Sequence, residues 1–184
     1  VAGVVLVLVT VCGYTDYQER KIRNSSTYPA IAIALAVNAF SSFLPESVRG
    51  SLGAIGFIPS LVGFAVCFGT KFLVYCIAKG GAGDVKLAAA IGAFMGAEQG
   101  LTVICYTYIL AGVAALCIVI WTLGPVYLLR AGGKYFLSLL LPGAFLAERD
   151  DPDRSLQRTL PLGVFFALAT PLVMFDVDLA ELIR

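Results

Sequence analysis

Runs that are apolar on every face of a helix constrain this chain more than any other feature. AIAIALAVNAF (residues 30–40) and GVAALCIVIW (residues 112–121) offer water no polar side. Lipid leaves open sheet edges unsatisfied, and the strict alternation of a membrane barrel strand is missing, so helices are expected. Apolar runs separated by polar or charged breaks lie at Val1 to Gly13, Tyr28 to Leu44, Gly53 to Ala78, Val85 to Ala97, Gly100 to Leu129 and Leu160 to Phe175. A crossing takes about 20 residues. The fold class expected is all-α, a polytopic membrane protein of about six transmembrane helices. Composition agrees: 59% of the 184 residues are hydrophobic and 14% charged, against about 45 to 50% and roughly 25% in soluble domains.

The first run is short for a full crossing, so further residues are expected before Val1. It has no basic leader region or small-residue cleavage site, and reads as a first span and not a removable signal. Orientation follows from Lys and Arg in the connections. Arg20, Lys21 and Arg23 follow span one, Lys79 and Lys86 flank the break after span three, and Arg130, Lys134, Arg149, Arg154 and Arg158 follow span five. These connections are expected on the cytoplasmic side, with both chain ends outside. The connection from Arg130 to Arg158 contains KYFLSLLLPGAFL, too short to cross and return, and reads as an interfacial or re-entrant segment. No repeat or linker appears, so residues 1–184 are expected to form a single membrane-embedded domain.

The net charge of +1 gives no footprint for nucleic acid, and the absence of His removes Ser-His and Cys-His catalysis and the commonest zinc sites. Cys12, Cys67, Cys76, Cys105 and Cys117 form no CxxC pair and lie in apolar runs, where free Cys acts as a small buried hydrophobe. No cofactor and no metal site is expected.

Two acidic residues stand out. Asp16 follows span one in YTDYQERKIRN, and Asp84 opens span four in KGGAGDVKLAAAIGAFMG. By itself Asp16 is a solvated loop charge balanced by Arg20 and Lys21. Asp84 by itself is a helix N-cap. An N-cap does not require the preceding Gly80, Gly81 and Gly83, which open the backbone to close approach. Two carboxylates in a partly dry site do not both ionise easily, so one holds a proton while the other is charged. Such a pair can activate water against an amide carbonyl without His or metal.

The run Gly81-Ala82-Gly83-Asp84-Val85-Lys86-Leu87 resembles the GxGDxKL motif of type IV prepilin peptidases, the GxGD membrane aspartyl proteases. In that family the first catalytic Asp lies in the first cytoplasmic connection, before a basic stretch and an Ile-Pro-Asn element. Here Asp16 precedes Arg20, Lys21 and Ile22-Arg23-Asn24, with Arg23 in place of Pro. The run from Leu160 to Ala169 is similar to the Pro-Tyr-Gly-Pro opening of the last span, matching at Pro161 and Gly163.

The resemblance implies Asp16 and Asp84 as catalytic residues, with Gly81, Gly83 and Lys86 in support. It also implies a short, peptidase-only type, because the CxxC-bearing zinc and methyltransferase domain of bifunctional relatives has no counterpart between spans one and two. The implied partners are membrane lipids and a prepilin-like or preflagellin-like substrate, whose basic leader is cut at the cytoplasmic face of a prokaryotic inner membrane. Lys71, inside span three, is expected to snorkel toward the interface in preference to pairing with a catalytic Asp, and Lys86, facing away from Asp84, to hold its helix end at the headgroups. The competing readings are an intramembrane-cleaving GxGD protease, whose Pro-Ala-Leu element is missing, and a small polytopic transporter or non-catalytic assembly protein using the aspartates as ion sites.

Overall fold

Each of the six apolar runs contains a helix, and one short helix is added between the second and third. The computed structural model describes residues 2–19, 22, 24–78, 81–123 and 161–175, and all its regular structure there is α-helical. The helices are α1 (Ala2–Glu19), α2 (Asn24–Ser41), α3 (Glu46–Leu52), α4 (Phe57–Ala78), α5 (Ala82–Met95), α6 (Ala97–Leu123) and α7 (Leu162–Met174). Glu46–Ile77 and Ala97–Trp121 are long and apolar enough to cross a membrane, while α7 is a shorter apolar helix. Ile58, Leu73, Ile77 and Trp121 lie exposed, a placement that suits lipid and not water. Arg20, Lys21, Arg23, Lys79, Gly80 and the connection from Arg130 to Arg158 lie outside the described residues.

The contacts divide the chain into residues 1–110 with 161–184, and residues 111–160. Of the second unit, the described part is the apolar helical run 111–123. In the first unit α5 is the most enclosed helix: Val85 and every residue from Leu87 to Met95 are buried. Its 14 residues span about 21 Å at 1.5 Å each. That is less than the roughly 30 Å hydrocarbon core, and its surroundings are protein on most sides.

Small residues let α4 and α5 approach backbone to backbone. A Cβ on Gly63 would collide with the carbonyl oxygen of Gly92 and come within 2.8 Å of Gly96 Cα. Gly96 itself turns the chain out of α5 at φ +88°. Close approach of this kind replaces the hydrophobic driving force that lipid does not supply. Beside it, the fully buried Asn38 accepts from the Ile55 N–H at 3.0 Å and directs its amide nitrogen at the Ala93 carbonyl, 3.2 Å away. Ser60 donates to the same carbonyl at 2.6 Å. This knot joins α2, α4 and α5 with its polar groups satisfied.

The first helix runs beyond the apolar run that ends at Gly13. Its buried stripe is Val5, Leu8, Val9, Cys12, Gly13 and Asp16, one continuous face at three- and four-residue spacing. That face packs on α7, where a Cβ on Gly13 would stand 2.9 Å from Ala167 Cβ. Asp16 therefore belongs to a helix and not to a loop. Of the cysteines, Cys12 and Cys67 are buried as expected, but Cys76, Cys105 and Cys117 are exposed, on outward helix faces; all five are free.

Candidate active site

Asp16 ends the buried stripe of α1 and is 7% exposed. Its Oδ2 accepts a 2.7 Å hydrogen bond from the backbone N–H of Gly163. This amide belongs to the first turn of α7, where N–H groups have no intrahelical acceptor and the helix dipole is positive. A Cβ at residue 163 would lie 2.8 Å from Asp16 Cβ and 2.9 Å from Oδ2, so only glycine fits beneath the carboxylate without displacing it. Asp16 is thus no solvated loop charge.

Asp84 occupies the first turn of α5 and is 9% exposed. The N-cap position is taken by Gly81, so Asp84 lies inside the helix and is not its cap. A Cβ on Gly81 would lie 3.1 Å from Asp84 Oδ2, and a Cβ on Gly83 would come 2.8 Å from Ile22 Cβ. The two motif glycines therefore clear space for two different groups: the carboxylate itself, and the buried isoleucine of the Ile22-Arg23-Asn24 element. Lys86 closes the same junction. Its Nζ donates to Asn24 Oδ1 at 2.8 Å and stands 4.7 Å from the Tyr28 ring centroid. It thereby ties α5 to the start of α2.

The two carboxylates share an electrostatic environment. Both lie outside the apolar runs Val1 to Gly13 and Val85 to Ala97. Burial pushes the Asp16 carboxyl above its ordinary range, opposed by the Gly163 N–H. Burial likewise pushes Asp84 up to about 6; the positive charge of Lys71 pulls it down and the negative charge of Asp16 pushes it further up. Each effect is of the expected sign for groups drawn together out of water. Where Asp16 is ionised and Asp84 still protonated, such a pair carries one negative charge and one proton, the state needed for one acid and one base.

Lys71 departs from expectation. It is 3% exposed and does not snorkel. Its Nζ donates to Tyr108 Oη at 2.9 Å, with the Tyr108 and Phe166 ring centroids 4.4 Å and 5.2 Å away. Sequence reasoning thus misses Gly163 as a partner of the pair, although the Pro161 and Gly163 match is its signal. For Lys71, a lone cation inside an apolar run, it weighs a pair with a catalytic Asp and favours snorkelling.

The profile of the type IV leader peptidase family matches residues 3–132. That interval contains both aspartates, the GxGDxKL run and Lys71. No curated protein and no solved structure matches the chain.

Proposed function

The chain belongs to the type IV leader peptidase family, and from that membership we propose that it is an aspartic endopeptidase in which Asp16 and Asp84 jointly activate water. It is a membrane protease. Its substrate in this reading is a prepilin-like or preflagellin-like precursor, cut between a basic leader and the hydrophobic helix that follows. The Lys and Arg of the odd-numbered connections support a site facing the cytoplasm of a prokaryotic inner membrane.

The observation that carries the reading is that Asp16 and Asp84, the acidic residues of the two motifs, are both buried at helix ends, each beside a glycine whose Cβ would crowd its carboxylate. The ionised member of the pair takes a proton from water as the water oxygen bonds to the scissile carbonyl carbon. The protonated member donates a hydrogen bond to the carbonyl oxygen as negative charge develops there. Collapse of the tetrahedral intermediate breaks the C–N bond, and the leaving nitrogen takes a proton from the pair. The products are a carboxylic acid and an amine, and the pair is left with its single proton.

The test is cleavage of a purified prepilin-type precursor by the protein in detergent or liposomes. Asp16→Asn and Asp84→Asn are each expected to lose processing while the protein still accumulates in the membrane. Full cleavage by either variant overturns the reading.

A further inference from the structure

Lys71 is a buried cation with no carboxylate within ion-pair distance among the described residues. Burying an ammonium without a partner is costly, and its four-carbon stem is long enough to seek water if the fold allowed it. The fold holds it inside by three contacts: the Tyr108 hydroxyl, the face of the Tyr108 ring and the ring of Phe166. Phe166 lies one turn of α7 beyond Gly163, whose N–H holds Asp16. One helix therefore places both the support of the first aspartate and a wall of the lysine site.

The packing of α4 on α5 fixes the other side. Gly63 lies against Gly92 and Gly96, and Cys67, one turn later, against Gly92. The helices run in opposite directions, so a further turn along α4 brings Lys71 toward the Asp84 end of α5. Gly63, Cys67 and Lys71 form a single stripe at four-residue spacing.

We propose that Lys71 is a positioning residue of the carboxylate pair, a fixed buried cation that sets the pH at which Asp84 gives up the pair's single proton. The proposal rests on the two-aspartate reading for its role in catalysis, but not for its electrostatics. The groups bearing on the ammonium are few. From α5 they are Asp84, with Lys86 turned away to Asn24; from α1, Asp16 and Cys12; from α6, Tyr108; on α4 itself, Cys67 and Tyr75. The described part of α7 carries no titratable side chain. Among the described residues, Lys71 is the cation whose charge acts on Asp84. Its charge lowers the Asp84 pKa, in the direction the proposal needs.

The experiment compares Lys71→Met, which keeps the stem and removes the charge, with Lys71→Arg, which keeps the charge. In precursor cleavage, the alkaline limb of kcat/KM for Lys71→Met is expected to move to higher pH by about one unit. One unit above the wild-type limb its kcat should exceed that of the wild type about fivefold, with KM changed by less than about twofold. Lys71→Arg should restore the wild-type profile.

A second readout needs no activity: the pH dependence of thermal unfolding in detergent. Lys71→Met should shift it in the wild-type and Asp16→Asn backgrounds and leave it unchanged in the Asp84→Asn background. An unmoved alkaline limb in Lys71→Met, or a stability shift that survives Asp84→Asn, overturns the proposal. A stability shift seen as expected in a protein that cleaves no precursor sinks the peptidase reading and keeps the Lys71–Asp84 coupling. If Lys71→Met does not accumulate, the same profiles are read on Lys71→Arg, where loss of activity in a folded protein overturns the charge role.

Discussion

The backbone N–H of Gly163 donates a 2.7 Å hydrogen bond to Oδ2 of Asp16 across 147 residues of chain. One contact thereby joins the helix bearing the first carboxylate to the last described helix, and it leaves no room for a side chain at residue 163. Gly163→Ala is expected to push Asp16 out of place and lose the bond, because the new Cβ would meet Asp16 Cβ, Cγ and Oδ2 within 3.1 Å. A displacement of about 1 Å at a catalytic group lowers rates on the order of a hundredfold. Gly69→Ala, where a Cβ meets nothing within 4 Å, is the control and should cleave at the wild-type rate. Equal activity of the two variants in precursor cleavage would show the bond to be dispensable.

The pH profile follows from the same pair. Asp84 is held up to about 6, chiefly by burial, and Asp16 also lies above its ordinary range. Catalysis needs one carboxyl ionised and one protonated, so activity is expected to fall as pH rises through about 6, where Asp84 gives up the proton, and to fall again at low pH, where Asp16 is protonated too. The acid limb of kcat/KM, set chiefly by Asp16, should stand above the ordinary carboxylate value of about 4. Each measured limb belongs to the coupled pair and not to one residue alone. An acid limb near pH 4 would mean that water reaches the carboxylates freely.

Which of these features the sequence reveals depends on how local their causes are. The all-α membrane fold is legible because apolarity on every helix face is a local property, and Asp84 because its glycines adjoin it. The placement of Asp16 is not: the apolar run stops at Gly13, whereas the helix continues to Glu19 because its buried stripe keeps the three- and four-residue spacing through Asp16. Gly163 and Lys71 take their roles from partners on other helices, and no window of sequence contains both members of either contact. Lys71 illustrates the difficulty. Stem length predicts snorkelling, and only the arrival of Tyr108 and Phe166 makes an interior site tolerable.

The α4–α5 seam should be intolerant of a single methyl group. In Gly63→Ala the Cβ would strike the Gly92 carbonyl and the Gly96 backbone, and backbone atoms in packed helices do not retract as a flexible side chain does. Overpacking of this kind costs about 1 to 3 kcal/mol. Gly69→Ala, six residues along the same helix and facing open space, should instead gain up to about 1 kcal/mol from helix propensity. Thermal unfolding of the two variants in one detergent gives the comparison, and a Gly63→Ala protein as stable as Gly69→Ala would contradict the close approach.

The junction between the two motifs is open to a double-mutant cycle. Lys86 and Asn24 share a 2.8 Å hydrogen bond at the exposed edge of the α2–α5 contact. A bond with one charged member contributes about 1.5 to 3 kcal/mol when shielded, and the lower end applies at this exposed site. Lys86→Met and Asn24→Ala should each destabilise the protein, and the double variant should cost less than the sum of the two. Strict additivity would show that the two side chains act independently.

Stability and function should oppose one another at Asp84. Its carboxyl is raised from 3.8 to about 6 in the folded protein, so folding favours the protonated form. Below the unfolded value of 3.8 the group is neutral in both states and costs nothing. As pH rises through the folded value it must ionise in a buried place, and the folded state loses stability relative to the unfolded chain. The shift corresponds to roughly 3 kcal/mol at full ionisation. Asp84→Asn, neutral at every pH and close in shape, is expected to melt above the wild type at pH 8, with the difference shrinking to near zero by pH 4. Melting curves of both proteins across that range, in the same detergent, measure it. A wild-type protein that melts at or above Asp84→Asn at pH 8 would show that the ionised carboxylate is fully compensated in the folded state, and that its environment is not the partly dry one on which the shared proton depends.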